Sequence, residues 1–360
     1  MRKRGGLFFG IAAIIMALII WGNPIPRIQA VFFPQVPAIV PASQSIVAAN
    51  LTVDTDRLMS HVAALSQPRV AGAEKASARN YIISQLASYG LNATEQPYNH
   101  PETGAATTGG VNIAVTLPSR DPAARTLVLG GHYDTTENSP GADDNASAIA
   151  TMLETARLVS SLAVSNTASQ QAELLEGSSL PFPSNLQLVF FDQEERQPDG
   201  SGLLGSLAFT ANNPDLSNVK GAIILDMVGY ACRIEGCQRY PQGLPTHSLP
   251  TTGDFLAVLG LSTHTDLIGA FVGSAQVNWP LVVSLPIPEG ALRLFPDLIR
   301  SDHAPFWEKD VPAVFVTDTA NFRNANYHTP RDILETLDPS FFSGSAQHVV
   351  NAVTTLLEME

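Results

Sequence analysis

Gly130–Ala148 reads GGHYDTTENSPGADDNASA, and this stretch decides the fold. It follows Thr126–Leu129, a short apolar run of strand character, and it precedes Ile149–Leu158, whose apolar spacing indicates an amphipathic helix. An imidazole and several carboxylates are crowded between these two elements. Carboxylates so close together repel one another, and a zinc ion removes that repulsion because it accepts both carboxylate and imidazole ligands. The alternative is an acidic surface loop in which Asp143 or Asp144 caps the following helix.

Strand and helix patterns alternate on both sides of this stretch. Apolar segments with the length of strands are 94–98, 111–117, 125–130, 186–191, 219–225 and 313–316. Segments with helical spacing are 54–65, 76–89, 149–158, 202–209 and 339–358. This alternation predicts an α/β fold with three layers, α/β/α, around a central, mostly parallel mixed sheet. Because ligands bind beyond the carboxyl ends of such strands, the acids and the histidine that follow three of them should converge in one crevice.

The N-terminus predicts a segment separate from this fold. Arg2-Lys3-Arg4 precedes an apolar run from Leu7 to Trp21, and a basic flank followed by such a run is an export signal. The run is long for a signal peptide and slightly short for a membrane span, which needs about 17–25 residues. We predict that residues 1–30 are a membrane anchor or a signal peptide and that residues 31–53 are a proline-rich tether. Residues 54–360 would then be the folded domain, anchored outside the cytoplasm, or secreted if the N-terminus is cleaved.

Composition limits the partners and the compartment. The net charge is −13, with no clustering of Lys and Arg in the body of the chain, which argues against a nucleic-acid partner. The only two cysteines are Cys232 and Cys237. An exported protein would join them in a local disulfide, and the alternative is two free thiols.

Candidate metal ligands follow the predicted strands and the loops beside them. Two zinc ions sharing one carboxylate need a bridging ligand and two terminal ligands each. Glu194 is an additional acid beside one candidate, and such a neighbour can take a proton from metal-bound water and pass it to the leaving amine. The candidate ligands are His132, Asp144, Glu195, Asp226 and His328.

These residues lie in motifs that resemble those of the di-zinc exopeptidases. That family is typified by bacterial leucyl aminopeptidase and aminopeptidase Y. It also includes glutamate carboxypeptidase-type enzymes and, more distantly, glutaminyl-cyclase-like proteins. The resemblance extends from about Leu58 to Leu357, so residues 54–360 would form a zinc exopeptidase domain. Six short motifs occur in the family's order: His132-Tyr133-Asp134, Pro140–Asn145, Glu194-Glu195, Leu225-Asp226-Met227, Ser301-Asp302-His303 and Tyr327-His328-Thr329.

The resemblance implies a role for each candidate ligand. Asp144 would bridge two zinc ions. His132 and Asp226 would hold one ion, and Glu195 and His328 would hold the other.

The resemblance also implies roles for residues around the metals. Glu194 would be the general base and acid, and Asp134 would orient the His132 ring. Asp302 and His303 would lie behind the ligands. The peptide bond between Asp144 and Asn145 is expected to be cis. Some relatives stabilise the oxyanion with a tyrosine near the Ser-Asp-His segment, but none precedes it here, so the oxyanion donor is unassigned and His303 is a candidate.

The implied function is a zinc-dependent aminopeptidase that removes N-terminal residues from peptides through a metal-bridging hydroxide, with Glu194 as general base. One alternative is a single-zinc acyltransferase, because the chain resembles the glutaminyl-cyclase-like proteins at Phe190-Phe191-Asp192. The other is a catalytically inactive binding ectodomain, although such relatives lose ligands.

Segments 231–250 and 274–298 are rich in proline and are predicted to be irregular lids. The side chains expected to form a substrate pocket there are Tyr240, Leu244, Trp279, Leu281, Leu292 and Phe295.

Overall fold

The computed structural model describes residues 51–100, 109–165, 178–244, 249–276 and 278–359, together with Ala38, Gly104 and Thr246. The predicted anchor or signal peptide and most of the predicted tether lie outside the described residues. Among the described residues, no helix combines the length and the apolar character that a membrane span requires.

The described residues form a sheet of eight strands and a separate two-stranded ribbon. The strands are β1 (Thr94–Pro97), β2 (Val111–Leu117), β3 (Thr126–His132), β4 (Val164–Ser165), β5 (Ser178–Ser179), β6 (Asn185–Phe191), β7 (Val219–Leu225), β8 (Phe255–Leu261), β9 (Leu281–Ile287) and β10 (Ala313–Thr317). The order across the large sheet is β1-β2-β6-β3-β7-β10-β8-β9, and β4 pairs with β5 in the ribbon.

The sheet is mixed, and its central strands are parallel. β3 pairs in parallel with β6 and β7, β7 pairs in parallel with β10, and β8 pairs in parallel with β9. The pairs β1–β2, β2–β6 and β8–β10 are antiparallel. The carboxyl ends of β6, β3, β7 and β10 therefore meet along one edge of the sheet.

Helices cover both faces of the sheet, which confirms the predicted three-layer α/β/α architecture. They are α1 (Thr55–Leu65), α2 (Gly72–Ser88), α3 (Ala148–Ser160), α4 (Leu204–Asn212), α5 (Thr265–Gly273), α6 (Ala304–Glu308) and α7 (Pro339–Glu358). Successive strand residues point to opposite faces. In β3, Leu127 and Leu129 join the core that includes α1, α3 and α7, whereas Val128 joins the core that contains Phe209 of α4 and Phe306 of α6.

Segment 274–298 differs from the prediction of an irregular lid. It contains β9, which is the outermost strand of the sheet in the described part of the chain and pairs there with β8 alone. Pro286 lies inside β9, and the outermost strand tolerates proline because one of its sides has no partner strand. The opposite outermost strand, β1, likewise ends at Pro97.

Segment 231–250 contains no helix or strand in its described part, as predicted. The disulfide between Cys232 and Cys237 closes a short loop at its start, which confirms the predicted pairing. Hydrogen bonds in both directions join the backbone of Cys232 to that of Gly253, so this loop is fixed to the chain entering β8.

Candidate metal centre and active site

Three neighbouring central strands bring the candidate ligands together. His132 is the last residue of β3, Asp226 follows β7 directly, and Glu195 follows β6 after a short turn. Because β3 lies between β6 and β7, these side chains meet at one edge of the sheet. Asp144 reaches the same place from the turn before α3, and His328 reaches it from the loop after β10.

The carboxylate of Asp144 faces two different groups of ligands. Its Oδ1 lies 3.4 Å from Nε2 of His132, and the same Nε2 lies 3.6 Å from Oδ1 of Asp226. Its Oδ2 lies 3.1 Å from Nε2 of His328, and that Nε2 lies 3.1 Å from Oε1 of Glu195. One carboxylate with each oxygen directed at a separate set of ligands has the arrangement of a bridging ligand. The peptide bond that follows it, Asp144–Asn145, is cis, as the resemblance implied.

The donor atoms form two compact triads. They are His132, Glu194 and Asp226 in one triad and Asp144, Glu195 and His328 in the other, and the donor atoms of each triad lie within 4.8 Å of one another. Imidazole nitrogens and carboxylate oxygens at this spacing are the donor set that zinc accepts.

The electrostatics of the two histidines show why a cation fits here. Burial opposes a charge on His132, but the surrounding carboxylates of Glu194, Asp134, Asp144 and Asp226 raise its pKa well above the usual value. Burial also opposes a charge on His328, yet its neighbouring carboxylates raise the pKa to about 10. The carboxylates around His132 and His328 thus stabilise positive charge in this crevice. Divalent cations can provide that charge, and they displace the protons from both imidazole rings when they bind.

Glu194 belongs to the triad of His132 and does not lie between the two triads. Its Oε2 is 4.0 Å from Nε2 of His132. Burial raises the pKa of Glu194 well above its usual value; His132 opposes this rise, and Glu195 and Asp226 reinforce it. A carboxyl group that holds a proton more readily than usual, next to the ligands, can accept and return a proton there.

Asp134 fixes both His132 and the glutamate pair. Its backbone carbonyl oxygen lies 3.2 Å from Nδ1 of His132, and its carboxylate is slightly farther away, at 3.6 Å. The two carboxylate oxygens accept the backbone N–H groups of Glu194 and Glu195 at 3.1 and 3.3 Å. The carbonyl therefore leaves Nε2 of His132 for a metal, and the carboxylate sets the position of the Glu194-Glu195 turn.

Asp302 and His303 are both buried behind this region. Burial raises the pKa of Asp302 to about 7. The ring of His303 stacks on Phe315 with centroids 4.6 Å apart, and its Nε2 lies 2.8 Å from the carbonyl oxygen of Leu298. These contacts give His303 a packing role. His303 also does not line the cavity beside the metal ligands, so it is not assigned as the oxyanion donor.

Two residues that the sequence analysis did not single out organise the turn carrying Asp144. The carboxylate of Asp332 accepts the backbone N–H groups of Asp143 and Asp144 at 2.9 and 3.0 Å. Asp332 lies four residues after His328, so it connects the two ligand loops; that spacing was its only signal in the sequence.

Arg69 is the second of these residues, and it holds the turn through the carbonyl groups of Pro140 and Gly141. It is fully buried and donates to five carbonyl oxygens, those of Leu65, Gln67, Tyr133, Pro140 and Gly141.

A cavity of about 590 Å³ opens beside the ligands. Alternate residues of β8, β9 and β10 form its apolar floor, because residues two apart on a strand share a face. Tyr240, Leu244 and Leu298 from the neighbouring loops also line it. The floor residues are Phe255, Ala257, Leu259, Leu285, Ile287, Phe315 and Thr317.

The predicted pocket wall is therefore only partly correct. Tyr240 and Leu244 line the cavity, but the other four residues do not. Trp279 packs edge-on against His348 with ring centroids 5.2 Å apart, and Leu281 is 60% exposed. Leu292 and Phe295 pack against the small apolar cluster beneath the cavity. Segment 281–287 is a strand in which Leu281, Leu285 and Ile287 share one face; only its later residues, Leu285 and Ile287, line the cavity, whereas Leu281 is exposed at its start.

A mixed α/β sheet with two carboxylate-histidine triads at the ends of its central strands defines an α/β metalloprotein. Residues 112–255 and 288–353 match Peptidase family M28, which is more than half of the chain. The chain belongs to peptidase family M28.

The chain is also similar to two proteins in sequence and to a solved structure in fold. An uncharacterized protein, YfbL, from Escherichia coli (strain K12) is 32% identical over 243 residues, which are 64% of this chain and 66% of that protein. Leucine aminopeptidase 1 from Trichophyton equinum is 26% identical over 254 residues, 68% of this chain and 57% of that protein. The chain thus spans less than two thirds of these relatives' lengths. A zinc aminopeptidase from Bacillus subtilis shares the fold, with a TM-score of 0.62 and 16% identity over 86% of this chain and 97% of that one.

Proposed function

We propose that this protein is a zinc-dependent aminopeptidase that hydrolyses the first peptide bond of peptides. The observation that carries the proposal is the carboxylate of Asp144 at the acidic end of a cavity: one oxygen faces His132 and the other faces His328. Membership of a peptidase family supports hydrolysis of peptides. The names of the relatives, a leucine aminopeptidase and a zinc aminopeptidase, support cleavage at the N-terminus.

The proposal assigns the metals as follows. Asp144 would be shared by two zinc ions, of which one would be held by His132 and Asp226 and the other by Glu195 and His328. Zinc, when bound, supplies Lewis acidity toward the scissile carbonyl and lowers the pKa of water. All five ligands are present and converge, which favours this proposal over a single-zinc acyltransferase and over an inactive binding domain.

The residues around the metals bind the peptide and move the proton. The cavity's acidic end attracts the protonated amine of the substrate, since Asp144, Glu194, Glu195 and Asp226 all line it. Oε2 of Glu194 accepts the proton from the attacking water and returns it to the nitrogen of the leaving group. Asp134 keeps Glu194 in place through the backbone hydrogen bond.

Aminoacyl anilides test this function directly. The zinc-replete protein is expected to hydrolyse leucyl-p-nitroanilide and to leave N-acetyl-leucyl-p-nitroanilide intact, because the acetyl group removes the charged amine. Absorbance of the released nitroaniline measures both reactions. Equal cleavage of the two anilides would contradict the aminopeptidase assignment, and cleavage of neither would contradict the proposed function as a whole.

The apolar floor of the cavity predicts a preference for large apolar N-terminal residues. Leu259 lies partly exposed on this floor, and a Leu259→Trp substitution should fill the space that the substrate side chain occupies. We expect the ratio of kcat/KM for leucyl to alanyl anilide to fall by about 10-fold, since apolar contact in a pocket contributes about 1–3 kcal/mol to such discrimination.

The matched control is Leu294→Trp, which makes the same change at a residue that is 69% exposed and does not line the cavity. The control should keep the wild-type ratio. If Leu259→Trp also keeps it, with metal content unchanged, the substrate side chain does not lie on this floor.

A further inference from the structure

The cavity has a positively charged rim at its mouth. Arg196, Arg239 and Arg300 all line the cavity, and we call these three residues the arginine rim. Among the described residues that line the cavity away from the ligand triads, the one carboxylate is Asp297. The whole chain has only 20 basic residues against 33 acidic ones, so this concentration of arginine is contrary to its overall charge.

Two members of the rim, Arg239 and Arg300, contact the same residue, Asn321. Nη2 of Arg239 lies 3.4 Å from the carbonyl oxygen of Asn321, and Nη1 of Arg300 lies 3.2 Å from the side-chain oxygen of the same asparagine. Both guanidinium groups therefore flank Asn321. A pair of planar guanidinium groups is suited to a carboxylate, which each can bind through two parallel N–H groups.

Tyr327 connects this pair to the metal ligands. Nη2 of Arg300 donates to the hydroxyl oxygen of Tyr327 at 3.1 Å. The ring of Tyr327 stacks on the ring of His328, with centroids 3.7 Å apart. Arg300 is thus separated from a ligand of the metal centre by a single aromatic ring.

Arg300 retains capacity for a ligand. It contacts Asp297 at 3.1 Å, but both side chains are substantially exposed, and exposed ion pairs contribute little. A guanidinium has five N–H donors, and the described residues place three acceptors on it, those of Asp297, Asn321 and Tyr327.

We propose that the arginine rim binds the C-terminal carboxylate of short peptides, so that dipeptides and tripeptides are the preferred substrates. This inference rests on the proposed aminopeptidase function. The acidic end of the cavity attracts the peptide's ammonium group, and the rim attracts its carboxylate. One residue of extended chain spans about 3.3–3.6 Å, so a carboxylate one or two residues beyond the scissile bond lies about 4–7 Å from it. The stacked ring of Tyr327 and its hydrogen bond to Arg300 cover a similar distance.

The test compares Leu-Gly with Leu-Gly amide, which differ only in the terminal carboxylate. For the wild-type protein we expect kcat/KM to be about 10-fold higher for the free acid, because only the free acid offers a carboxylate that a guanidinium group can bind through two parallel N–H groups. The ratio should fall toward one as ionic strength rises, since salt screens exposed charges. Arg300→Gln should bring the ratio close to one, and Arg239→Gln should lower it in the same direction.

The matched control is Arg120→Gln. Arg120 is exposed and follows β2, which ends at the edge of the sheet opposite the ligands, so the control should keep the wild-type ratio. The Arg239 variant keeps the test decisive if the Arg300 variant does not fold.

Three results would overturn the inference. The first is a wild-type protein that hydrolyses Leu-Gly and Leu-Gly amide with nearly equal kcat/KM. The second is a preference for the free acid that stays at the wild-type level in both the Arg300 and the Arg239 variants. The third is a preference for Leu-Glu amide over Leu-Gln amide without any preference for the free acid of Leu-Gly, which would assign the rim to an acidic side chain. Hydrolysis of leucyl anilide distinguishes failure of the rim assignment from failure of the aminopeptidase function. If the anilide is cleaved but Leu-Gly and Leu-Gly amide have equal kcat/KM, only the rim assignment fails.

Discussion

Replacing Glu194 with glutamine is expected to lower kcat by about two to four orders of magnitude, the range that general acid–base catalysis contributes, while both metals stay bound. Glutamine has the shape of glutamate, but its amide cannot accept and return a proton at neutral pH. The backbone hydrogen bond from residue 194 to Asp134 does not involve the side chain, so the turn keeps its position. Steady-state kinetics on leucyl anilide, with zinc measured by atomic absorption on the same sample, provide the measurement.

The neighbouring substitution, Glu195→Gln, is the matched control because it makes the same chemical change one residue away. Oε1 of Glu195 lies 3.1 Å from Nε2 of His328, so its loss should weaken the metal site that these two residues share. Loss of zinc from the Glu194 variant, together with full zinc in the Glu195 variant, would show that the two glutamates have the opposite roles.

Replacing Asp144 with asparagine is expected to reduce bound zinc from about two ions per chain to one or fewer. An amide offers one oxygen where the carboxylate offers two, so either the His132 side or the His328 side of residue 144 would face N–H groups instead of an acceptor. Activity should fall by at least about 100-fold, because even changes to groups behind metal ligands cost about 10–100-fold. Zinc titration against a competing chelator measures the loss of affinity independently of turnover.

Asp143→Asn provides the comparison for this variant. The carboxylate of Asp143 accepts the backbone N–H of Gly229 at 3.0 Å and the side-chain N–H of Asn324 at 2.9 Å, so it is held by the fold rather than directed at the triads. The variant should keep both zinc ions. A wild-type protein that binds only one zinc ion, or an Asp144 variant that retains two, would contradict the bridging assignment.

The central part of the site could be predicted from the sequence because its ligands adjoin strands. His132 ends β3 and Asp226 follows β7, and each strand contains an apolar run, Leu127–Leu129 in β3 and Ala222–Leu225 in β7. A parallel sheet then brings such strand ends together without any further information. The order of the strands, which places β3 between β6 and β7, was not available from the sequence, but convergence did not depend on it.

The far end of the sheet could not be predicted, and the cavity depends on that end. The sequence pattern did not predict β8 or α5, and the prolines around β9, Pro280, Pro286 and Pro288, favoured an irregular lid there. Which side chains line the cavity is decided by the pairing of β8 with β9 and by the alternation along each strand. The pairing and the face to which each side chain points both depend on the neighbouring strand, and the local sequence carries little information about which strand that is.

Arg69 shows a different limit. In the sequence it is a single arginine in a Pro-Arg-Val turn, with nothing to distinguish it from a surface residue. In the fold it is fully buried, and burial lowers its pKa to about 10, so it still carries its charge at neutral pH. Its place depends on carbonyl groups from several loops turning toward one point, which is a property of the assembled structure.

The proline in each outermost strand has a consequence for how copies of this protein meet at high concentration. A second chain that extends a sheet must pair with an unbroken row of backbone donors on the strand that it joins. Proline has no N–H, so Pro97 in β1 and Pro286 in β9 each leave a gap in that row. Both flanks of the sheet are thereby poor templates for a foreign strand, which protects the folded protein against polymerisation and fibre growth.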